Sequence, residues 1–172
     1  MAALREVFEH IGHADVRTYI NSGNVVFDAP RTNPAVLAEE LETALEREFG
    51  FAMRVLVLPG SAVTEIAAAL PDDWVNDEQS SCNVLYLLPK RASPKALDAF
   101  AMDPQHEQAR YCAGAILSRV DRAYAGRSAL HNLIRTDRDL YANMTIRNCN
   151  TARKLAAMVA ESLESPASET AV

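Results

Sequence analysis

An α+β fold, made of two tandem ferredoxin-like (βαββαβ) halves packed into one body, follows from three features of the sequence. Runs of β-branched and aromatic residues alternate with runs of 3.6-residue apolar periodicity. Their order repeats almost unchanged in the second part of the chain. A polar stretch, residues 71–81, carries Asp72, Asp73, Asp77 and Glu78 and reads as the connection between the two runs. The halves are expected over residues 1–75 and 76–164, with a disordered tail over 165–172. Each half is too small to be very stable alone, so their apolar faces are expected to pack together.

The first half opens on a helix, because Leu4, Val7, Phe8 and Ile11 fall at i, i+3, i+4 and i+7 and Gly12 supplies a stop. Val16–Ile20 and Val25–Phe27 flank the turn residues Asn21, Ser22, Gly23 and Asn24, a hairpin signature. Thr32-Asn33-Pro34 offers a cap and a first-turn proline for a helix through about Phe49, ended by Gly50. Met53–Leu58 is expected as a short apolar strand and Ser61–Leu70 as a helix. The second half is expected to run strand Asn83–Leu88, helix Ser93–Ala101, strands Gln108–Cys112 and Ala115–Val120 around Gly114, helix Ser128–Ile134 and strand Met144–Ile146. A last helix covers about Thr151–Leu163. The second half is then complete, whereas the first lacks an opening strand.

Composition removes several function classes. The chain has 172 residues, 49% of them hydrophobic and 23% charged, values of an ordinary folded protein. It contains no apolar run of membrane-spanning length and begins without the basic and apolar stretches of a secretion signal, so a cytoplasmic location and no membrane partner are expected. Cys82, Cys112 and Cys149 are odd in number and lack metal-ligand spacing, and read as reduced thiols. No signal for a cofactor or a metal is present. The net charge of −6 argues against bulk nucleic-acid binding, yet residues 110–154 hold nine basic side chains against three acidic ones. Two causes fit that asymmetry: the basic part faces the acidic remainder, or it holds an anion.

Two stretches carry a resemblance. Residues 15–27, containing Arg17-Thr18-Tyr19-Ile20-Asn21-Ser22-Gly23-Asn24, and residues 144–155, from Met144 to Leu155, resemble the bacterial family of domain of unknown function 1697. The resemblance covers nearly the whole chain and implies a fold but little chemistry. It also implies an extra N-terminal strand and a Leu-Arg-Gly-Ile-Asn-Val-Gly loop before the segment that begins here at Met1. The expectation is therefore a shortened start and a monomer or an edge-paired homodimer, since a sheet short of one strand exposes unpaired backbone. Where the family pattern more often has tryptophan, this chain has Cys149.

The residues that could carry function are few. Arg147, Asn148, Asn150, Thr151 and Lys154 surround the start of the last helix, where free N–H groups and the helix dipole favour an anion or nucleotide. Capping by Asn150 or Thr151 explains the same residues structurally. Arg127 and Ser128, after Gly126, could form a second arm of that basic surface. Asn21, Ser22, Gly23 and Asn24 could touch a ligand, or serve the turn alone. Nucleophile elbows, phosphate loops and dinucleotide fingerprints are absent, so no catalytic residue is named. The leading expectation is a binding module for a small anion or nucleotide. Single-stranded nucleic-acid binding, or an enzyme with its site between the halves, are the alternatives.

Overall fold

A computed structural model describes residues 1–30 and 33–164. The elements are α1 (Ala2–His10), β1 (Ala14–Tyr19), β2 (Asn24–Asp28), α2 (Pro34–Phe49), α3 (Gly60–Ala68), β3 (Ser80–Leu87), β4 (Glu107–Cys112), β5 (Ala115–Asp121), α4 (Ala129–Thr136), α5 (Arg138–Ala142), β6 (Met144–Asn148) and α6 (Cys149–Glu164), with short 3-10 turns between some of them. Helices combined with two antiparallel sheets make this an α+β protein. Two compact units form: Met1–Gly60 with the chain from Ala157, and Ser61–Ala156. Helix α6 thus begins in one unit and ends in the other. The expected tail and Thr32 lie outside the described residues.

In the first unit β1 and β2 form an antiparallel hairpin, with Thr18 opposite Val25 and Tyr19 opposite Asn24. Phe8, Val16 and Leu41 make its core, and Val25 and Phe27 pack against them. Asn33 caps α2 through its side-chain oxygen, which accepts from the Ala35 N–H at 2.9 Å, and Gly50 ends the helix in the left-handed conformation. Arg17 reaches the second half of α6, donating to the Met158 carbonyl at 2.7 Å and to the Ser162 hydroxyl. The close approach of Gly60 to α6 needs a bare Cα, since a Cβ would fall 2.8 Å from Val159.

The segment 53–58 is not a strand, contrary to the reading of its apolar pattern. Val55 and Val57 do lie against the core of this unit, and the Val55 N–H is taken by the Glu42 carboxylate at 2.8 Å. Alternating apolar residues select a buried face, but only a neighbouring chain can supply a ladder.

The second unit holds a four-stranded antiparallel sheet in the order β4-β5-β3-β6. One face buries Leu85, Leu87 and Ile116 against Ala96, Phe100, Leu133 and Leu140. Fully burying leucines of this kind contributes about 1.5–3 kcal/mol each. The helix expected over 93–101 is instead a 3-10 turn, Pro94–Ala99, with i to i+3 bonds such as Ala96 N–H to the Ser93 carbonyl at 3.0 Å. So short a run opening on proline does not offset the cost of nucleating an α-helix. Helix α5 was not expected; Asp137 builds it by accepting from the Leu140 N–H at 2.8 Å.

Candidate anion site

The opposite face of the second sheet collects the basic residues. Register pairs Tyr86 with Thr145 and Val84 with Arg147, and residues directly opposite in a ladder share a face. Tyr86, Thr145, Val84 and Arg147 therefore point the same way. The row continues across all four strands, because Val84 faces Leu117 and Leu117 faces Arg110. Arg119, opposite Cys82, joins them on that face. Three arginines far apart in sequence are thus brought onto one surface of one sheet.

Their environments differ. Arg110 lies over the Trp74 ring, 4.9 Å from its centroid. Arg119 is 3.3 Å from the Asp121 carboxylate. Arg147 donates from Nη1 to the Thr145 hydroxyl and to the Ile146 carbonyl, both at 2.8 Å. Burial lowers its pKa from the ordinary guanidinium value, with Tyr86 acting in the opposite direction. Beside it the Tyr86 side chain is 5% exposed, and its hydroxyl has no hydrogen-bond partner among the described residues. Burial pushes that phenol up to about 12, against the lowering effect of Arg147.

Helix α6 starts one residue after β6 ends, beside this cluster. Its cap is Asn148, whose side-chain oxygen accepts from the Thr151 N–H at 2.8 Å. The capping role expected of Asn150 or Thr151 therefore falls to Asn148: Thr151 is buried and supplies the N–H, and Asn150 is exposed. Lys154, one turn in, is exposed. Arg153 is fixed to the Trp74 and Pro71 carbonyls at 3.0 and 2.8 Å.

The other expected site residues have local roles. Ser128 caps α4, accepting from His131 N–H at 3.1 Å and donating to the Ala125 carbonyl at 2.8 Å. Arg127 sits over the Tyr124 ring at 4.9 Å. Both follow β5, which β3 separates from β6. In the first unit Asn24 donates to the Tyr19 carbonyl at 3.2 Å and to Ser22 at 2.8 Å, closing the turn, while Asn21, Ser22 and Gly23 are exposed. Gly23 holds φ at +75°, the reason for glycine there.

The sequence shows Tyr86 only as a core-facing strand aromatic and gives no sign of Thr145, because register alone sets the two beside Arg147. A second polar group was also missed. His106 lies 3.0 Å from Asp121 and stacks on Tyr124 at 4.5 Å, which in turn carries Arg127 on its ring. The His106 hydrogen bond, followed by smaller effects, holds the Asp121 carboxyl below its ordinary range. Of the strand aromatics that base stacking would use, Tyr19, Phe27, Tyr86 and Tyr111, Tyr86 is buried, Phe27 and Tyr111 pack against the two cores, and Tyr19 is half-buried. Among the described residues no cluster of three His, Cys, Asp or Glu side chains is placed to hold a metal ion, and no helix is long and apolar enough to cross a membrane.

Comparison with known proteins agrees with this architecture. Residues 1–117 match the model of a family described as protein of unknown function, DUF1697. The fold is similar to that of a solved conserved bacterial protein from Streptococcus pneumoniae, at a TM-score of 0.73 and 25% identity over 92% of this chain and 88% of the other. A search of curated proteins gives no match.

Proposed function

The chain belongs to the DUF1697 family of proteins of unknown function, and from that premise we propose that it is a binding module for a small oxyanion, such as a phosphate-bearing nucleotide, held where β6 passes into α6. The observation that carries this reading is the Tyr86 hydroxyl, buried without a partner among the described residues on the face it shares with Arg147. An orphaned buried hydroxyl costs about 1–3 kcal/mol, and an acceptor oxygen brought by a ligand would remove that cost. Arg147 contributes charge in a setting of reduced water, and the α6 N-terminus adds its dipole. Asn148 and Thr151 shape the start of the helix, and Lys154 and Asn150 line its exposed side. The strand order β4-β5-β3-β6 supports reading the second half as ferredoxin-like, and the hairpin with α2 supports the same reading, less completely, for the first.

The test is a thermal-melt screen against phosphate, sulfate, nucleotides and short single-stranded oligonucleotides. A ligand at a hundred times its Kd adds about 2.7 kcal/mol, which for a chain of this size raises Tm by roughly 5–10 °C. The shift should vanish in Arg147→Ala and shrink in Arg147→Lys, which keeps the charge but loses the planar fork. No shift with any anion, or an equal shift in Arg147→Ala, would reject the site. A shift with oligonucleotides alone would transfer the reading to nucleic acid.

A further inference from the structure

We infer that Cys82 and Cys149 form a reversible disulfide that ties the start of α6 to the central strand β3. The ladder between β3 and β6 pairs Leu87 with Met144, Tyr86 with Thr145, Leu85 with Ile146, Val84 with Arg147 and Asn83 with Asn148. The ladder ends at that last pair, and the next residue along each chain is a cysteine: Cys82 on β3 and Cys149, the first residue of α6. Residues directly opposite in an antiparallel ladder have Cα atoms about 4.5–5.5 Å apart. Cys82 and Cys149 each adjoin a residue of such a pair, and the spacing they start from lies within the roughly 4.4–6.8 Å that disulfides span.

The surroundings favour the same pair. Both thiols are free and fully buried, so no competing covalent or exposed role engages them. Their polar neighbours are weak: Ser80 Oγ lies 3.9 Å from the Cys82 sulfur, and Asn150 Oδ1 lies 3.6 Å from that of Cys149. Burial raises the Cys82 thiol pKa, so oxidation runs through a small thiolate fraction and is slow. Cys112 faces Ala115 on β4, and β5 lies between β4 and β3. Sheet order therefore selects one pair out of three cysteines.

The oxidant is a small peroxide, which can enter where a bulky disulfide cannot. One thiolate attacks the O–O bond of hydrogen peroxide, forming an S–O bond and releasing hydroxide; the second attacks the resulting sulfenic sulfur, forming the S–S bond and expelling a second hydroxide. The two hydroxides take up the two thiol protons. Two thiols and one peroxide thus give one disulfide and two waters, and a dithiol reductant reverses the change. The bond lies next to the Asn148 cap.

The three cysteines fall in separate tryptic peptides, 55–90, 111–119 and 148–153, which makes the link directly readable. The full chain is treated with dilute hydrogen peroxide under native conditions, alkylated, and digested without reductant. The expected result is a single cross-linked species joining 55–90 to 148–153, a fall in alkylatable thiols from three to one, and full recovery on reduction. Cys112→Ala, which leaves both buried cysteines in place, should cross-link as the parent does. Three free thiols after treatment, a link through the 111–119 peptide, or sulfinic acid at Cys82 without a link would each overturn the inference. No anion is used, so the outcome is separate from that of the binding proposal.

Discussion

Replacing Tyr86 by phenylalanine removes one oxygen and keeps the ring. The hydroxyl is buried without a partner among the described residues, so folding strips it of water and returns no hydrogen bond from them. A group in that condition costs about 1–3 kcal/mol, and allowing for relaxation around the ring the variant should gain about 1 kcal/mol. For a chain of this length that raises Tm by about 2–4 °C. In urea the midpoint should move up at constant m, because the exposed area on unfolding is nearly unchanged. The alkaline limb supplies an independent sign. The folded phenol sits near 12 because of burial, above the 10 of an exposed tyrosine. From about pH 10 the unfolded chain loses this proton first, so stability falls by about 1.4 kcal/mol per pH unit until the folded value is reached. Phenylalanine abolishes that component. The same variant should bind the oxyanion more weakly than the parent, giving opposite signs for stability and affinity. A loss of 1 kcal/mol or more in the ligand-free protein would show that the hydroxyl is satisfied in the native state and would refute this reasoning.

Glu107 offers a second test: buried at 8% exposure, it accepts from the Ala129 N–H at 2.8 Å and the Asp103 N–H at 3.1 Å. Glu107→Ala should lose about 2–3 kcal/mol by chemical denaturation, and Glu107→Gln about half of that, since one acceptor remains. Asp137 tests acid sensitivity. The Leu140 N–H, and after it Arg91 at 2.7 Å, hold its carboxyl below the ordinary range. The folded pKa is depressed, so the contribution is present above the unfolded carboxylate pKa and is lost as pH falls through the folded value. Asp137→Asn still caps α5, and its stability deficit relative to the parent should be largest near neutral pH and fade in acid; a deficit constant with pH would assign it to packing.

Local chemistry made much of the architecture legible. Apolar periodicity and the stop at Gly50 marked α2, the Asn-Ser-Gly-Asn run marked the β1–β2 hairpin, and Gly114 marked the reversal between β4 and β5. Such features depend on neighbours within a few residues, which sequence displays. The two failures have separate causes. Segment 53–58 has strand composition but no ladder, and 94–99 has helical spacing but too few residues after proline to sustain an α-helix.

The sequence by itself determined where the positive charge lies, since it concentrates nine basic residues between 110 and 154, and it placed Arg147 and Asn148 at the start of the last helix. Which of those residues act together was decided only by strand order and register. Pairing β6 beside β3 put Tyr86 next to Thr145 and Arg147, and pairing β5 and β4 beyond it carried Arg110 and Arg119 to the same face. A one-residue slip in that pairing would send each side chain to the other face. Register is fixed by which apolar residues fill the core beneath Leu85 and Leu87, a condition spread over elements far apart in the chain.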